Sequence, residues 1–550
     1  MNSAASHEKQ APASPAAARI GRTAATIAVV AVAARFVGVL RVFTQASAIG
    51  ANSLGNTYIS ANKIPNIVFD VVAGGALSSV VIPVLARPMA EGDDATTRRT
   101  ASALLTWTVL GLVPLSALGM LLSRPLMSAL LSGVRDSAQR HVQVDVGARM
   151  LVVFMPQVVL YGAGIVLTGV LQAHRRFLAP ALAPLLSSLV VIGAYLAYAA
   201  QAHGAHSIAS LSRAEELTLS LGTTLGVAAL TLPLLVPTRR LGLHLRPTLR
   251  LPAEAGRQIR RLALAGAIGL GAQQLATGVV IVLANRLDGG LVVYELAWTL
   301  FMVPWAVLAV PIATSVFPEL TASAAAGDDA SYTDSTYAAL RAVMVVMLLA
   351  GAVLVAAARP LADLLLTLAP AQSGSAGAAD LGRAIAGFAP GLVGYGLVAL
   401  LTRAAYARHA GKAAAISTAG GFAVAAVVDV VLVGVVPRHW LVAALGAGNT
   451  VGMSVAAAAL LWWLRGATEA LRPRRLRRLV VVGFAAAAIG SGAGRLSVAV
   501  APTGGAARAA LAAVAAIAVT IVIFIGVCAA GLRPEFAAIV GRLPGRRALT

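Results

Sequence analysis

The chain has 550 residues, of which 59% are hydrophobic and only 12% charged, about half the charged share of an ordinary soluble domain. That composition excludes a soluble enzyme built round a few cores, and the single cysteine, Cys528, excludes a disulfide-stapled module. The formal charge of +22 would point to nucleic acid in a soluble chain, but the basic residues fall in alternate loops between apolar runs, so no nucleic-acid partner is expected.

In chain order, residues 1–23 read as a polar, Ala/Pro-rich, disordered cytoplasmic tail. Apolar runs of membrane length follow near 24–47, 57–86, 101–122, 150–171, 178–200, 217–237, 262–285, 292–318, 339–358, 384–405, 413–436, 440–464, 479–500 and 508–531. The reading is an all-α polytopic membrane protein with about fourteen transmembrane helices. Arg35 and Arg41, within the first run, count against its being a cleaved signal peptide. With the N-terminus inside, the inner loops hold Arg87, Arg98 and Arg99, then Arg175 and Arg176, the Arg-rich 238–261 segment, and the RPRRLRR run before span 13. Counting tails, about 28 basic residues fall inside and about 11 outside, which orients both termini towards the cytoplasm. Arginine outnumbers lysine 40 to 3, a bias that points to a GC-rich genome such as an actinobacterium's.

One local pattern occurs twice. Ser79-Val80-Val81-Ile82-Pro83-Val84-Leu85 precedes Gly92-Asp93-Asp94, and Thr314-Ser315-Val316-Phe317-Pro318-Glu319-Leu320 precedes Gly327-Asp328-Asp329, 235 residues on. Each copy closes the second span of a six-span block. An even number of spans per block gives both copies one orientation, so the blocks are parallel repeats, with the substrate site expected between them. The expected organisation is an N-lobe over 24–237, a basic cytoplasmic linker over 238–261 and a C-lobe over 262–464. A basic loop and an appended helix pair over 465–531 and a cytoplasmic tail over 532–550 complete it.

Charge inside a membrane is costly and marks function by default. Arg35 and Arg41 in span 1 are six apart, ~120° round an ideal helix, and Gly38 between them permits a bend that would aim both into one cavity. Lys63 and Asp70 in span 2 are seven apart, on nearly the same face, with Pro65 between them as a kink. Three cations against one carboxylate leave a positive surplus suited to a phosphate-bearing ligand, for which arginine offers a planar fork and lysine a point charge. Asp429, in the middle of apolar span 11, is a candidate ion-coupling residue or a partner for Arg403. Gln273 and Gln274 read as hydrogen-bonding glue between helices, and Trp298 and Trp305 as packing. No phosphate loop, H-E-x-x-H pair or G-x-S-x-G elbow occurs, so no enzyme, metal site or cofactor is expected.

Ala34-Arg35-Phe36-Val37-Gly38-Val39-Leu40-Arg41, Asn56-Thr57-Tyr58, Asn62-Lys63-Ile64-Pro65-Asn66, Gly75-Ala76-Leu77-Ser78 and Pro83-Val84-Leu85 together resemble the opening of the MurJ/MviN lipid II flippases. These belong to the multidrug/oligosaccharidyl-lipid/polysaccharide exporter superfamily. The resemblance extends from Pro304 through Val310 to Pro318 and, through span count and layout, over nearly the whole chain. It implies a bacterial plasma-membrane protein that moves the lipid-linked peptidoglycan precursor from inner to outer leaflet by alternating access. The driving force would be membrane potential or an ion gradient. It implies a substrate site at Arg35, Arg41, Asn62, Lys63, Asn66 and Asp70, facing a polyprenyl-diphosphate-linked glycopeptide. Membrane lipids and the cell-wall synthesis machinery are the other implied partners, and spans 13 and 14 would form a groove for the polyprenyl tail.

The chain departs from that pattern. Well-studied members carry an acid at Asn56, an Arg at Phe69, a Glu at Gly74 and an Arg in the region of Ala297–Leu300, including Thr299, so the cavity is less basic than the family norm. Two rival readings are a multidrug/cation antiporter of the same superfamily, favoured by Asp70 and Asp429, and a cell-wall scaffold that no longer transports.

Overall fold

Long apolar segments can hide their backbone polar groups from lipid only by pairing them internally, which helices do within one segment. The computed structural model describes residues 15–71, 84–85, 88–89, 91–202, 207–242, 245–250, 270–368, 376–465, 473–499 and 505–531, and all regular elements among them are helical. The first half contains α1 (Pro15–Ile49), α2 (Ser53–Phe69), α3 (Asp94–Leu121), α4 (Ser123–Leu130), α5 (Ser137–Phe154), α6 (Gln157–Ala173), α7 (Leu178–Ala202), α8 (Arg213–Thr231) and α9 (Leu235–Arg240). The second contains α10 (Leu270–Ala284), α11 (Gly290–Pro304), α12 (Val310–Ala325), α13 (Asp329–Leu368), α14 (Ala378–Phe388), α15 (Gly391–Ala407), α16 (Gly411–Val435) and α17 (Leu441–Arg465). The pair α18 (Pro473–Ala499) and α19 (Ala506–Gly531) packs together and against α13.

Among the described residues, eleven helices are long and apolar enough to cross a membrane, or twelve when the bent pair α14–α15 counts as one span. Two of the fourteen expected spans, 57–86 and 262–285, coincide with the shorter α2 and α10, and the remainder of each lies largely outside the described residues. Helix α1 begins at Pro15, inside the 1–23 segment expected to be a disordered tail. Proline at a first helical position presets φ for the helix, which explains the early start. Of the basic linker, residues 245–250 lie along α3, where Ser102 and Thr106 hydroxyls accept from the backbone N–H groups of Arg246 and Thr248. The tail 532–550 lies outside the described residues.

The sequence repeat is also a structural one. Gly92 and Gly327 both adopt left-handed φ, +71° and +68°, and close the same turn. Asp93 N–H donates to Pro88 O at 2.9 Å and Asp328 N–H to Ser323 O at 3.0 Å. Each aspartate then caps the next helix, accepting from Thr96 N–H and from Ser331 N–H at 2.9 Å. The Thr96 hydroxyl and N–H hold the exposed Asp93 carboxyl below its usual range.

Two further equivalences appear at an offset of 234. The break between α5 and α6 at Met155-Pro156 has the hydrogen bonds of the break between α14 and α15 at Ala389-Pro390, each preceded by a buried phenylalanine, Phe154 or Phe388. Arg175 and His409 both adopt left-handed φ, +57° and +58°, and the following N–H groups reach back five residues, from Arg176 to Leu171 O and from Ala410 to Ala405 O. Helix pairs α7–α8 and α16–α17 are the closest-packed pair of each lobe. Glycine makes the second possible: a Cβ on Gly421 would lie 2.6 Å from that of Ala456, and one on Gly452 as close to that of Ala425.

Candidate functional site

The lobes meet through α1 and α2 on one side and α11 on the other. At one end the seam is shut. Asn56 Nδ2 donates to Leu287 O and Asn56 Oδ1 accepts from Leu291 N–H, both at 3.0 Å, so one carboxamide clasps two turns of the opposite lobe. Asn285 reaches back, donating to Ser60 Oγ at 3.0 Å and to Leu130 O at 3.3 Å. Gly289, at φ +79°, lies so close to Ala51 that a Cβ would run into its carbonyl.

Below this seam a cavity of about 200 Å³ opens between the lobes. Lys63, Asn66 and Asp70 line it from α2, Gln273 and Gln274 from α10, and Tyr294, Glu295 and Trp298 from α11. Tyr395, Asp429 and Asn449 close its far wall. Lys63 Nζ lies 2.6 Å from Glu295 Oε1, an ion pair that joins the lobes. Gln274 Nε2 donates to Asp70 Oδ2 at 3.2 Å, a second link between them. The helix α2 continues through Pro65 and widens into a π turn at Asp70–Val71, which turns Asp70 towards α10.

Of the seven residues expected at the site, four share this cavity: Lys63, Asn66, Asp70 and Asp429. Arg35, Arg41 and Asn62 do not line it. Arg35 is exposed and its guanidinium donates to Ala306 O at 3.0 Å, across the lobe boundary. The acceptor is freed by a π segment, Trp305–Ala309, that follows Pro304. Arg41 is half-buried in the first lobe. Helix α1 runs through Gly38 without a break, and Arg35 and Arg41, six residues apart, point ~120° away from each other round it. Asn62 Oδ1 is buried without a hydrogen-bond partner, while its carbonyl accepts from Asn66 Nδ2 at 2.6 Å. Tyr161 in turn donates to Asn66 Oδ1 at 3.2 Å.

The partners expected for two charges also differ. Lys63 engages Glu295 rather than Asp70. Arg403 donates to Ala399 O one turn back on its own helix, leaving Asp429, only 2% exposed, with Oδ1 unbonded against Gly448. The cavity lining therefore carries one cation and three carboxylates among the described residues, against the positive surplus expected. Glu295 escaped notice in the sequence because it stands three residues inside a predicted span, where acids are commonplace. Its signal was the rule that any acid within a span needs a partner. The aromatic residues pack as expected: Trp298 lies among Tyr294, Phe301, Phe388 and Tyr395, and Trp305 Nε1 donates to Tyr395 O at 3.2 Å.

Two helical lobes repeated in parallel, a seam shut at one end and a polar cavity between them make up the architecture that two-lobe membrane transporters use. Solved structures share this fold. "Lipid II flippase MurJ, inward closed conformation" superposes with a TM-score of 0.71 at 14% identity, over 94% of this chain and 100% of that one. An inward-facing multidrug resistance MATE family transporter of the MOP superfamily follows at 0.63 and 16% identity, over 78% of this chain and 94% of that one.

Residues 45–505 match the lipid II flippase MurJ family, and the chain belongs to it. A probable lipid II flippase MurJ of Rhizobium tropici is 26% identical over 299 residues, 53% of this chain and 53% of that protein. The lipid II flippase MurJ of Burkholderia cenocepacia is 29% identical over 161 residues, 29% of this chain and 30% of that one. The chain thus matches about half or less of the length of these relatives.

Proposed function

We propose that this protein moves lipid II, the polyprenyl-diphosphate-linked peptidoglycan precursor, from the inner to the outer leaflet of a bacterial plasma membrane by alternating access. The observation that carries this reading is the family match over 45–505 on a two-lobe fold with an inter-lobe cavity. Both termini face the cytoplasm, so the clasp at Asn56 is the outer seam. A volume of about 200 Å³ is below the roughly 300–1,000 Å³ of pockets for drug-sized ligands, so a glycopeptide headgroup enters only as the lobes part. Arg35, Arg41 and Lys63, with Asn62, Asn66 and Asp70 beside them, meet the diphosphate as parting exposes the α1 side. Arg35 must first give up Ala306 O, which ties arginine release to opening. No cofactor takes part; membrane potential or an ion gradient drives the cycle, with Asp429 as the coupling residue. Depletion in the native host, followed by leaflet-resolved labelling, should show lipid II held in the inner leaflet. Normal outer-leaflet labelling, with no redundant flippase present, would refute the proposal.

One observation favours a second reading. Asp70, Glu295 and Asp429 make the cavity acidic, as a cation antiporter requires. Under that reading, vesicles show sodium-coupled efflux of a cationic dye that Asp429→Asn abolishes. Under the flippase reading the same vesicles show no dye efflux, and Asp429→Asn instead removes the dependence of lipid II movement on the ion gradient.

A further inference from the structure

Lys63 is the one cation lining the cavity among the described residues, and its ammonium is already taken. Glu295 Oε1 sits 2.6 Å from Nζ, whereas Asp70 is turned to Gln274 and Asp429 is packed against Gly448. Among the three acids, only Glu295 is in direct contact with Lys63. The pair is not sealed: the side chains are 31% and 19% exposed, on the wall of a space that accommodates water and a small anion. A pair so placed lacks the dry, fully bonded surroundings that make a buried ion pair a fixed structural element. It also spans the lobes, so breaking it removes a tie between them.

We infer that Glu295 is a built-in stand-in for the substrate's phosphate, holding Lys63 while the cavity is empty and yielding it to an entering diphosphate. The inference rests on the reading of this cavity as a diphosphate site. A carboxylate and a phosphate oxygen make the same charge-assisted bond to an ammonium, but a diphosphate brings more negative charge than one carboxylate. Exchange therefore favours diphosphate over singly charged or zwitterionic headgroups, and Glu295 sets a threshold that common phospholipids do not pass. Exchange also severs the inter-lobe tie and leaves two anions facing each other across one small space. Binding of the right ligand thereby favours parting of the lobes, through a difference in affinity between the closed and parted states.

The test uses the purified full-length protein and inorganic pyrophosphate in a calorimetric titration at low salt. Wild type should bind weakly, Glu295→Gln at least tenfold more tightly, and Glu295→Asp, which retracts the carboxylate by one methylene, in between. Lys63→Gln and the Lys63→Gln/Glu295→Gln double variant should lose binding more than tenfold relative to Glu295→Gln. A pair with a merely structural role predicts a lower melting temperature for Glu295→Gln and no gain in affinity, and that result overturns the inference. Should Glu295→Gln fail to fold, Glu295→Asp decides by the same sign. Wild-type binding that neither variant tightens sinks the stand-in alone. No binding by any variant sinks it together with the diphosphate reading.

Discussion

Gly289→Ala should leave the protein in the membrane and remove its activity. The added methyl meets the Ala51 carbonyl across the shut seam, and backbone cannot swing aside as a flexible side chain can. Relief requires the lobes to separate there, which sacrifices both hydrogen bonds of the buried Asn56 clasp and strains those of Asn285. At roughly 1 kcal/mol for each such bond, closure weakens by about 2–3 kcal/mol. Since about 1.4 kcal/mol is a factor of ten, the closed-seam population falls roughly 30- to 150-fold. Gly92→Ala is the control: its φ of +71° imposes the same left-handed strain, and nothing lies within 4 Å of the new methyl. That variant should lose some thermal stability and keep its activity. Spin labels at Arg135→Cys and Arg286→Cys, both exposed on opposite lobes at the seam mouth, report the separation directly, with Cys528 replaced by alanine. A closed seam and full complementation in Gly289→Ala would show that the Ala51 contact is dispensable.

Spans and lobes were legible in the sequence because a membrane imposes a local length requirement that composition alone can meet. The Pro-x8-Gly-Asp-Asp repeat was legible because its turn needs a left-handed residue, which glycine advertises. Its companions at Arg175 and His409 make the same kind of turn without glycine, so no residue type announced them. The site was harder. Sequence spacing places Arg35 and Arg41 on a helix but not the helix against its neighbours, and it is packing that sends Arg35 to Ala306 O and half-buries Arg41. The Lys63–Glu295 pair joins residues 232 apart on different lobes, a contact that no local pattern encodes. What the structure adds is where the lobes are tied: Asn56 and Asn285 join them at the seam, and Lys63 and Asp70, which line the cavity, join them there.

Arg35→Ala and Arg41→Ala should each abolish complementation in a host depleted of its own flippase, with membrane levels near wild type. Arg35 is exposed and makes one bond to a backbone carbonyl, so its loss costs the empty protein little. On the proposed function its value lies in the fork it offers a diphosphate once released from Ala306. Losing a charge-assisted bond of that kind costs roughly 1.5–3 kcal/mol, a 10- to 150-fold drop in substrate affinity. Arg35→Lys keeps a donor for the carbonyl but replaces the planar fork with a point charge, so only part of the activity should return. Arg41 separates two physical explanations of an intramembrane arginine. If it merely snorkels to lipid headgroups, Arg41→Lys is silent, since either side chain reaches them. Its half-buried position argues for an inward role, for which lysine is a partial substitute. An Arg35→Ala protein that is both abundant and fully active would remove Arg35 from the proposed site.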